Sequence, residues 1–196
     1  MTDILAIMTL IFWPIIPLFW IPVHFAANFF RKLAILTFMM PMITWLPLAY
    51  LIYQNKGFLL KFKIDFPIIL NIIGIPLFIL GSLLHIWTAR LLGLWGITGI
   101  PEISTRIKEN LVTGGPFSIV RHPTYLAHTL IFSGVFLITG VIAIGIITLL
   151  DFIIVNIAII PLEEKELLSR FGEDYVFYKK KVPSRFFPKF VKREKG

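Results

Sequence analysis

Apolar residues run along this chain in long uninterrupted stretches, not in the alternating or three-to-four spacing of elements with one wet face. Ile4 to Ala27, Leu33 to Tyr53 and Phe66 to Thr88 each approach or exceed the roughly 20 residues that carry a helix across a bilayer. The first run contains Pro14, Pro17 and Pro22 and is closed by Arg31 and Lys32. It lacks the charged start and small-residue cleavage site of a signal peptide, so a retained span kinked by its prolines is expected. The second run bears Pro41 and Pro47 and ends at Gln54, Asn55, Lys56 and Gly57. The third is uncharged, with Asn71 and His85 its main polar side chains and Arg90 at its exit.

Polar residues return through Glu102, Arg106, Lys108, Glu109 and Asn110, and the chain turns at Gly114, Gly115 and Pro116. Tyr125 to Pro161 is then a mostly apolar run of 37 residues. As one helix it would reach about 55 Å, against a hydrocarbon core of about 30 Å. A helical hairpin turning at Thr139 and Gly140 resolves that excess. From Glu163 to Gly196 the chain is polar and aromatic and is expected outside the hydrocarbon. The fold class that follows is all-α: a polytopic integral membrane protein of about five transmembrane helices.

Composition agrees with this pattern. The 196 residues are 57% hydrophobic and 15% charged, where a water-soluble domain carries about 25% charged residues. The net charge of +8 acquires meaning from its placement. With five spans and the N-terminus outside, 16 Lys/Arg fall on the inner side and three, Lys56, Lys61 and Lys63, on the outer. The loop from Arg90 to Arg121 and the tail from Glu163 then share the cytoplasmic face. Basic residues beside a membrane are explained by that collar, and no nucleic-acid partner is expected.

Reactive groups concentrate in Leu111 to Tyr125. Gly114, Gly115 and Pro116 suit a tight turn with exposed backbone groups, and Pro123 both keeps His122 out of helix and suits the start of the next one. Read as composition alone, this is equally a loop-to-helix junction with Arg121 as interfacial anchor. Glu163, Glu164 and Glu166 follow Pro161, where first-turn carboxylates are favoured by the helix dipole; on a basic face they also call for a cationic partner or ligand. Asp151 is an intramembrane acid, either functional or hydrogen-bonded to Asn71 or Thr148. His24, His85 and His128 lie on separate spans without metal-ligand spacing, so zinc is not expected. The absence of cysteine excludes thiolate chemistry, and no dinucleotide, P-loop or serine-hydrolase motif occurs.

Leu111-Val112-Thr113-Gly114-Gly115-Pro116-Phe117 runs into Arg121-His122-Pro123-Thr124-Tyr125. Beyond the hairpin come Glu163-Glu164, Phe171-Gly172-Glu173-Asp174-Tyr175, Tyr178 and Val182-Pro183. Together these resemble the isoprenylcysteine carboxyl methyltransferases, in particular prokaryotic and archaeal members, over residues 111–188. The resemblance implies a membrane region at 1–110 with three spans, and a methyltransferase-like catalytic region at 111–196. It implies S-adenosylmethionine as cofactor, bound by Gly115, His122, Pro123, Thr124, Tyr125 and Glu163. The implied reaction is methyl transfer to the carboxylate of an isoprenylated cysteine or similar lipidic acid. Eukaryotic members place an arginine four residues before the cofactor glutamate, where this chain has Ile159. A phospholipid N-methyltransferase shares the same C-terminal pattern and would need a base, for which Glu163, Glu164 and His122 are the candidates. An NADPH-dependent sterol-type reductase and a non-enzymatic membrane protein are the further alternatives.

Overall fold

The computed structural model describes residues 2–33, 36–37, 39–97 and 110–188; Glu102, Arg106, Lys108, Glu109 and residues 189–196 lie outside the described residues. Helices account for nearly all of it. The first run forms α1 (Thr2–Phe12) and α2 (Ile15–Phe25), broken at Trp13-Pro14, and α3 (Ala27–Leu33) follows. The second forms α4 (Met39–Gln54), which begins six residues later than the apolar pattern predicts, with the short α5 (Lys56–Leu59) after it. α6 (Ile68–Ile97) outruns the predicted third span: Arg90 sits within it, and only at Gly93, with φ 71°, does the backbone leave helical geometry. α7 (Pro123–Thr139) and α8 (Ile142–Phe171) form the hairpin, and α9 (Glu173–Lys181) caps the site end. Among the described residues three helices are long and apolar enough to cross a membrane, namely Thr2–Phe25, Ile68–Gly93 and Ile142–Phe171, with the shorter apolar Pro123–Thr139 beside them.

The hairpin turns where the length argument places it. Gly140 is left-handed (φ 65°), and a Cβ there would collide with the Ile64 carbonyl. That carbonyl is close because the 61–66 segment lies against the turn: Ile64 N–H donates to Gly140 O at 2.8 Å and Ile142 N–H to Phe62 O at 3.0 Å.

α6 and α7 approach most closely, and small residues seven apart on each helix allow it. A Cβ on Gly134 would lie 2.5 Å from Phe78 N, one on Gly74 would lie 2.9 Å from Gly134 O, and one on Gly81 would lie 2.9 Å from Ala127 O. In lipid no hydrophobic gain drives helices together, so this backbone-to-backbone packing supplies the attraction. The outer face of α6 shows the complementary pattern, with Ile68, Ile72, Leu80, Leu83 and Trp87 exposed, as expected where lipid is the solvent. The buried core holds Ala6 and Leu10 of α1 against Val135, Val141, Ile144 and Ile147.

One expectation is overturned. Pro161 does not end the last span. The helix continues through it, with Ile159 at φ −66°, ψ −55° and Ile160 at −58°, −45°. A proline inside a helix lacks its N–H and crowds the carbonyl four residues back. Here Val155–Ile159 widens into a π-helical turn, with Ile160 N–H donating to Val155 O, and so makes room for the ring. Glu163, Glu164 and Glu166 therefore lie in the interior of a continuous helix, and the first-turn dipole reading does not apply to them.

Candidate functional site

Beside the N-terminal end of α7, the chain encloses a cavity of about 310 Å³, within the roughly 300–1,000 Å³ range of small-molecule sites. Of the six residues that the resemblance marks for the cofactor, His122, Thr124, Tyr125 and Glu163 line it; Gly115 and Pro123 do not. Gly115 sits in a 3-10 turn (Gly115–Ser118) with φ 57°, and a Cβ on it would lie 2.9 Å from Leu91 Cδ1, so it seats this turn against α6. Pro123 is buried at the first position of α7, where its missing N–H costs nothing.

Glu164 is the hub of the polar framework behind the cavity. Its Oε1 accepts from Arg121 Nε (3.0 Å) and Nη2 (2.8 Å) and lies 3.2 Å from His122 Nε2. Its Oε2 accepts from Lys179 Nζ and Arg185 Nη2, both at 3.3 Å. Arg121 Nη1 donates to the carbonyls of Val182 (2.7 Å) and Pro183 (2.9 Å). The backbone N–H groups of Arg121 and His122 donate to Ser184 O and Arg185 O. Arg121 is thus buried and fully engaged, not an interfacial anchor, and the segment after α9 is a strap tied to the 120–122 loop. Tyr178 adds a bond from its hydroxyl to Phe117 O at 2.7 Å, and burial pushes this phenol and that of Tyr175 up from their ordinary range.

Glu163 faces the other way. Its Oε2 is 3.4 Å from His122 Nδ1, outside hydrogen-bonding geometry, and remains a buried acceptor without a hydrogen-bond partner. Burial of His122 opposes its charged form, but Glu163 and Glu164 on either side outweigh that and raise its pKa above the usual 6.5. The cavity wall thus presents an imidazole biased toward its charged form, a carboxylate oxygen with spare accepting capacity, and the Tyr175 hydroxyl, buried without a hydrogen-bond partner among the described residues. That set fits S-adenosylmethionine, whose ammonium and sulfonium call for the carboxylate and whose own carboxylate calls for a cation.

The structure also gathers residues that sequence reasoning left apart. His85 of α6 and His128 of α7 meet with ring centroids 5.0 Å apart, and both line the cavity. Their legible signal was the seven-residue spacing of Gly74 and Gly81 against Ala127 and Gly134. Asp151 is buried and accepts from Trp13 Nε1 at 3.0 Å; Asn71 donates instead to Leu137 O and Thr148 to Ile144 O, so neither is its partner. Ile159 is fully buried and packs with Tyr125 and Phe186. Among the described residues no three His, Cys, Asp or Glu side chains are grouped to hold a metal ion.

Comparison with known proteins sharpens the assignment. A 130-residue stretch is 32% identical to the cobalt-zinc-cadmium resistance protein CzcN of Cupriavidus metallidurans, covering 57% of this chain and 59% of that protein. A stretch of 67 residues is 39% identical to phosphatidylethanolamine N-methyltransferase B of Dictyostelium discoideum, covering 34% of this chain and 33% of that protein. The chain thus spans about three fifths and one third of these two relatives. The profile of the phospholipid methyltransferase family matches residues 69–174, more than half of the chain and the whole of the α6–α8 scaffold that carries the cavity. The chain belongs to the phospholipid methyltransferase family.

Proposed function

We propose that the protein is an S-adenosylmethionine-dependent membrane methyltransferase acting on the amine headgroup of a phospholipid. The observation that carries this reading is Oε2 of Glu163, without a hydrogen-bond partner among the described residues, on a cavity wall shared with His122, Thr124 and Tyr125, within a chain of this family. When bound, the cofactor supplies a methyl group on a sulfonium. Glu163 would hold its cationic end, His122 would face its carboxylate, and Ile15, Ile16 and Trp20 form an apolar wall that excludes water and suits acyl chains.

The acceptor follows from the cations available. A prenylated-cysteine carboxylate needs a free positive group, but of the two guanidinium groups that the described residues bring to the cavity wall, Arg121 is held by Glu164 and Arg170 by Glu166, at 3.2 Å. The position where eukaryotic isoprenylcysteine enzymes carry arginine is the buried Ile159. An amine needs no such cation, and the Dictyostelium relative is named for phosphatidylethanolamine. We place the cavity on the cytoplasmic side of a five-span chain, on the strength of the 16-to-three distribution of basic residues.

Calorimetric titration of the detergent-purified protein with S-adenosylhomocysteine and, separately, with NADPH tests the cofactor. Binding of the former and not of the latter is expected; the reverse would assign the site to a reductase. Transfer of labelled methyl to phosphatidylethanolamine vesicles, and not to a prenylated cysteine, tests the acceptor.

A further inference from the structure

Two cations meet in one cavity if a sulfonium and an ammonium headgroup are to react. Glu163 answers the first. The second must lose a proton before its nitrogen has an electron pair to donate, and the groups at the cofactor end are poorly placed to take it. His122 lies between two carboxylates and holds its own proton, while Glu164 is saturated by Arg121, Lys179 and Arg185.

Further along α7 the cavity has a second polar patch. His122, Tyr125 and His128 succeed one another at intervals of three residues, each ring centroid 6.1 Å from the next, and His85 approaches His128 from α6. The Nδ1 atoms of both His85 and His128 are buried without a hydrogen-bond partner among the described residues. Neither ring pairs with a carboxylate among the described residues. Two imidazolium charges side by side in a low-dielectric wall repel, which favours at least one neutral ring with a lone pair to offer. The position is built in: the glycine contacts that draw α6 onto α7 end at Gly81 and Ala127, immediately before His85 and His128.

We propose that the His85–His128 pair is the acceptor subsite, which receives the ammonium headgroup of the amine lipid and takes up its proton. This rests on the amine-lipid reading above. The step balances: an N–H proton passes from the ammonium to an imidazole; the freed nitrogen pair forms the N–C bond; and the C–S bond breaks with its electrons left on sulfur. The positive charges of sulfonium and ammonium become those of the methylated ammonium and the imidazolium, which then loses its proton to water.

The test uses the full-length protein with His85→Asn, His128→Asn and His128→Ala. Calorimetry on the S-adenosylhomocysteine-loaded protein compares short-chain phosphatidylethanolamine with phosphatidylcholine of the same chains, whose quaternary headgroup has no N–H to donate. Wild type is expected to bind the ethanolamine lipid at least tenfold more tightly, and both Asn variants to lose that preference while their S-adenosylhomocysteine affinity stays within about twofold. Methyl transfer should fall at least 100-fold in His128→Ala and recover in part with added imidazole. Full activity and unchanged lipid preference in both Asn variants would overturn the subsite alone. Loss of S-adenosylhomocysteine affinity in parallel would also overturn it, by moving the pair to the cofactor end. A wild type that binds S-adenosylhomocysteine yet neither binds nor methylates the amine lipid would overturn the amine reading and the subsite with it.

Discussion

Glu163 and Glu164 are neighbours in sequence that belong to two different regions. Glu164 joins the polar latch behind the cavity, where five donor atoms from the 121–122 loop, α9 and the strap converge on it. Glu163 belongs to the cavity wall, with one oxygen lacking any hydrogen-bond partner. Successive residues on a helix point about 100° apart, so a single helix face can serve the framework while the next serves a ligand. The difference teaches that saturation, not acidity, separates the two: a carboxylate whose lone pairs are all used shapes the site, and one with a spare lone pair can bind in it.

The sharpest break in that contrast comes from Glu164→Ala. It strands a buried Arg121, and losing one partner of a buried pair costs about 3–5 kcal/mol. A fall in Tm of about 10 °C in detergent, together with loss of cofactor binding, is expected from thermal melting. Glu163→Ala and His122→Ala should each weaken S-adenosylhomocysteine binding by more than about tenfold, or over 1.4 kcal/mol. For Glu163→Ala the loss of Tm should be much smaller, since only the contact with His122 goes, whereas an equal loss of Tm in the two glutamate variants would erase the distinction.

A finer test is pH. The pKa of His122 is raised in the folded protein, so its pairing contributes stability that is fully present below 6.5 and is lost as pH rises through the folded value. Melting measured from pH 6 upward should show Tm declining in wild type, with the slope reduced in His122→Ala. The smallest effect is expected at Asp151→Asn. The amide oxygen still accepts from Trp13 Nε1, and hydrogen bonds between membrane helices average about 0.6 kcal/mol. Melting and cofactor titration should both stay close to wild type.

Much of this was legible in the chain. The hairpin followed from length, because 37 mostly apolar residues cannot stand as one helix in a bilayer, and Thr139-Gly140 lies near the middle with a residue able to turn them. The Glu163–His122 pair was legible as a motif. The latch was not: Arg121, Glu164 and Ser184 are far apart in sequence, and nothing local marks one of two adjacent glutamates as saturated. Trp13 was invisible as the partner of Asp151, 138 residues away. The His85–His128 pair needed the register between α6 and α7, which small residues set only once two distant segments are known to touch. Pro161 misled because proline ends helices more often than it is accommodated, and the π turn that accommodates it has no reliable signature.

That turn has a consequence for how the molecule tolerates change. By closing its bond one residue late, Val155–Ile159 stores a single surplus residue in the middle of α8, and everything after it is rotated relative to everything before. The half that packs Ile144 and Ile147 against α1 and the half that aims Glu163 are thereby phased independently. Removing the exposed Ile157 would take out that surplus and let α8 relax to an ordinary helix, with Ile144 and Glu163 each left facing as before, because the widened turn had already absorbed the residue removed. A gap of one residue at this turn is therefore one that the site can survive, whereas the same gap in a chain whose helix is regular throughout would turn its glutamate away by about 100°.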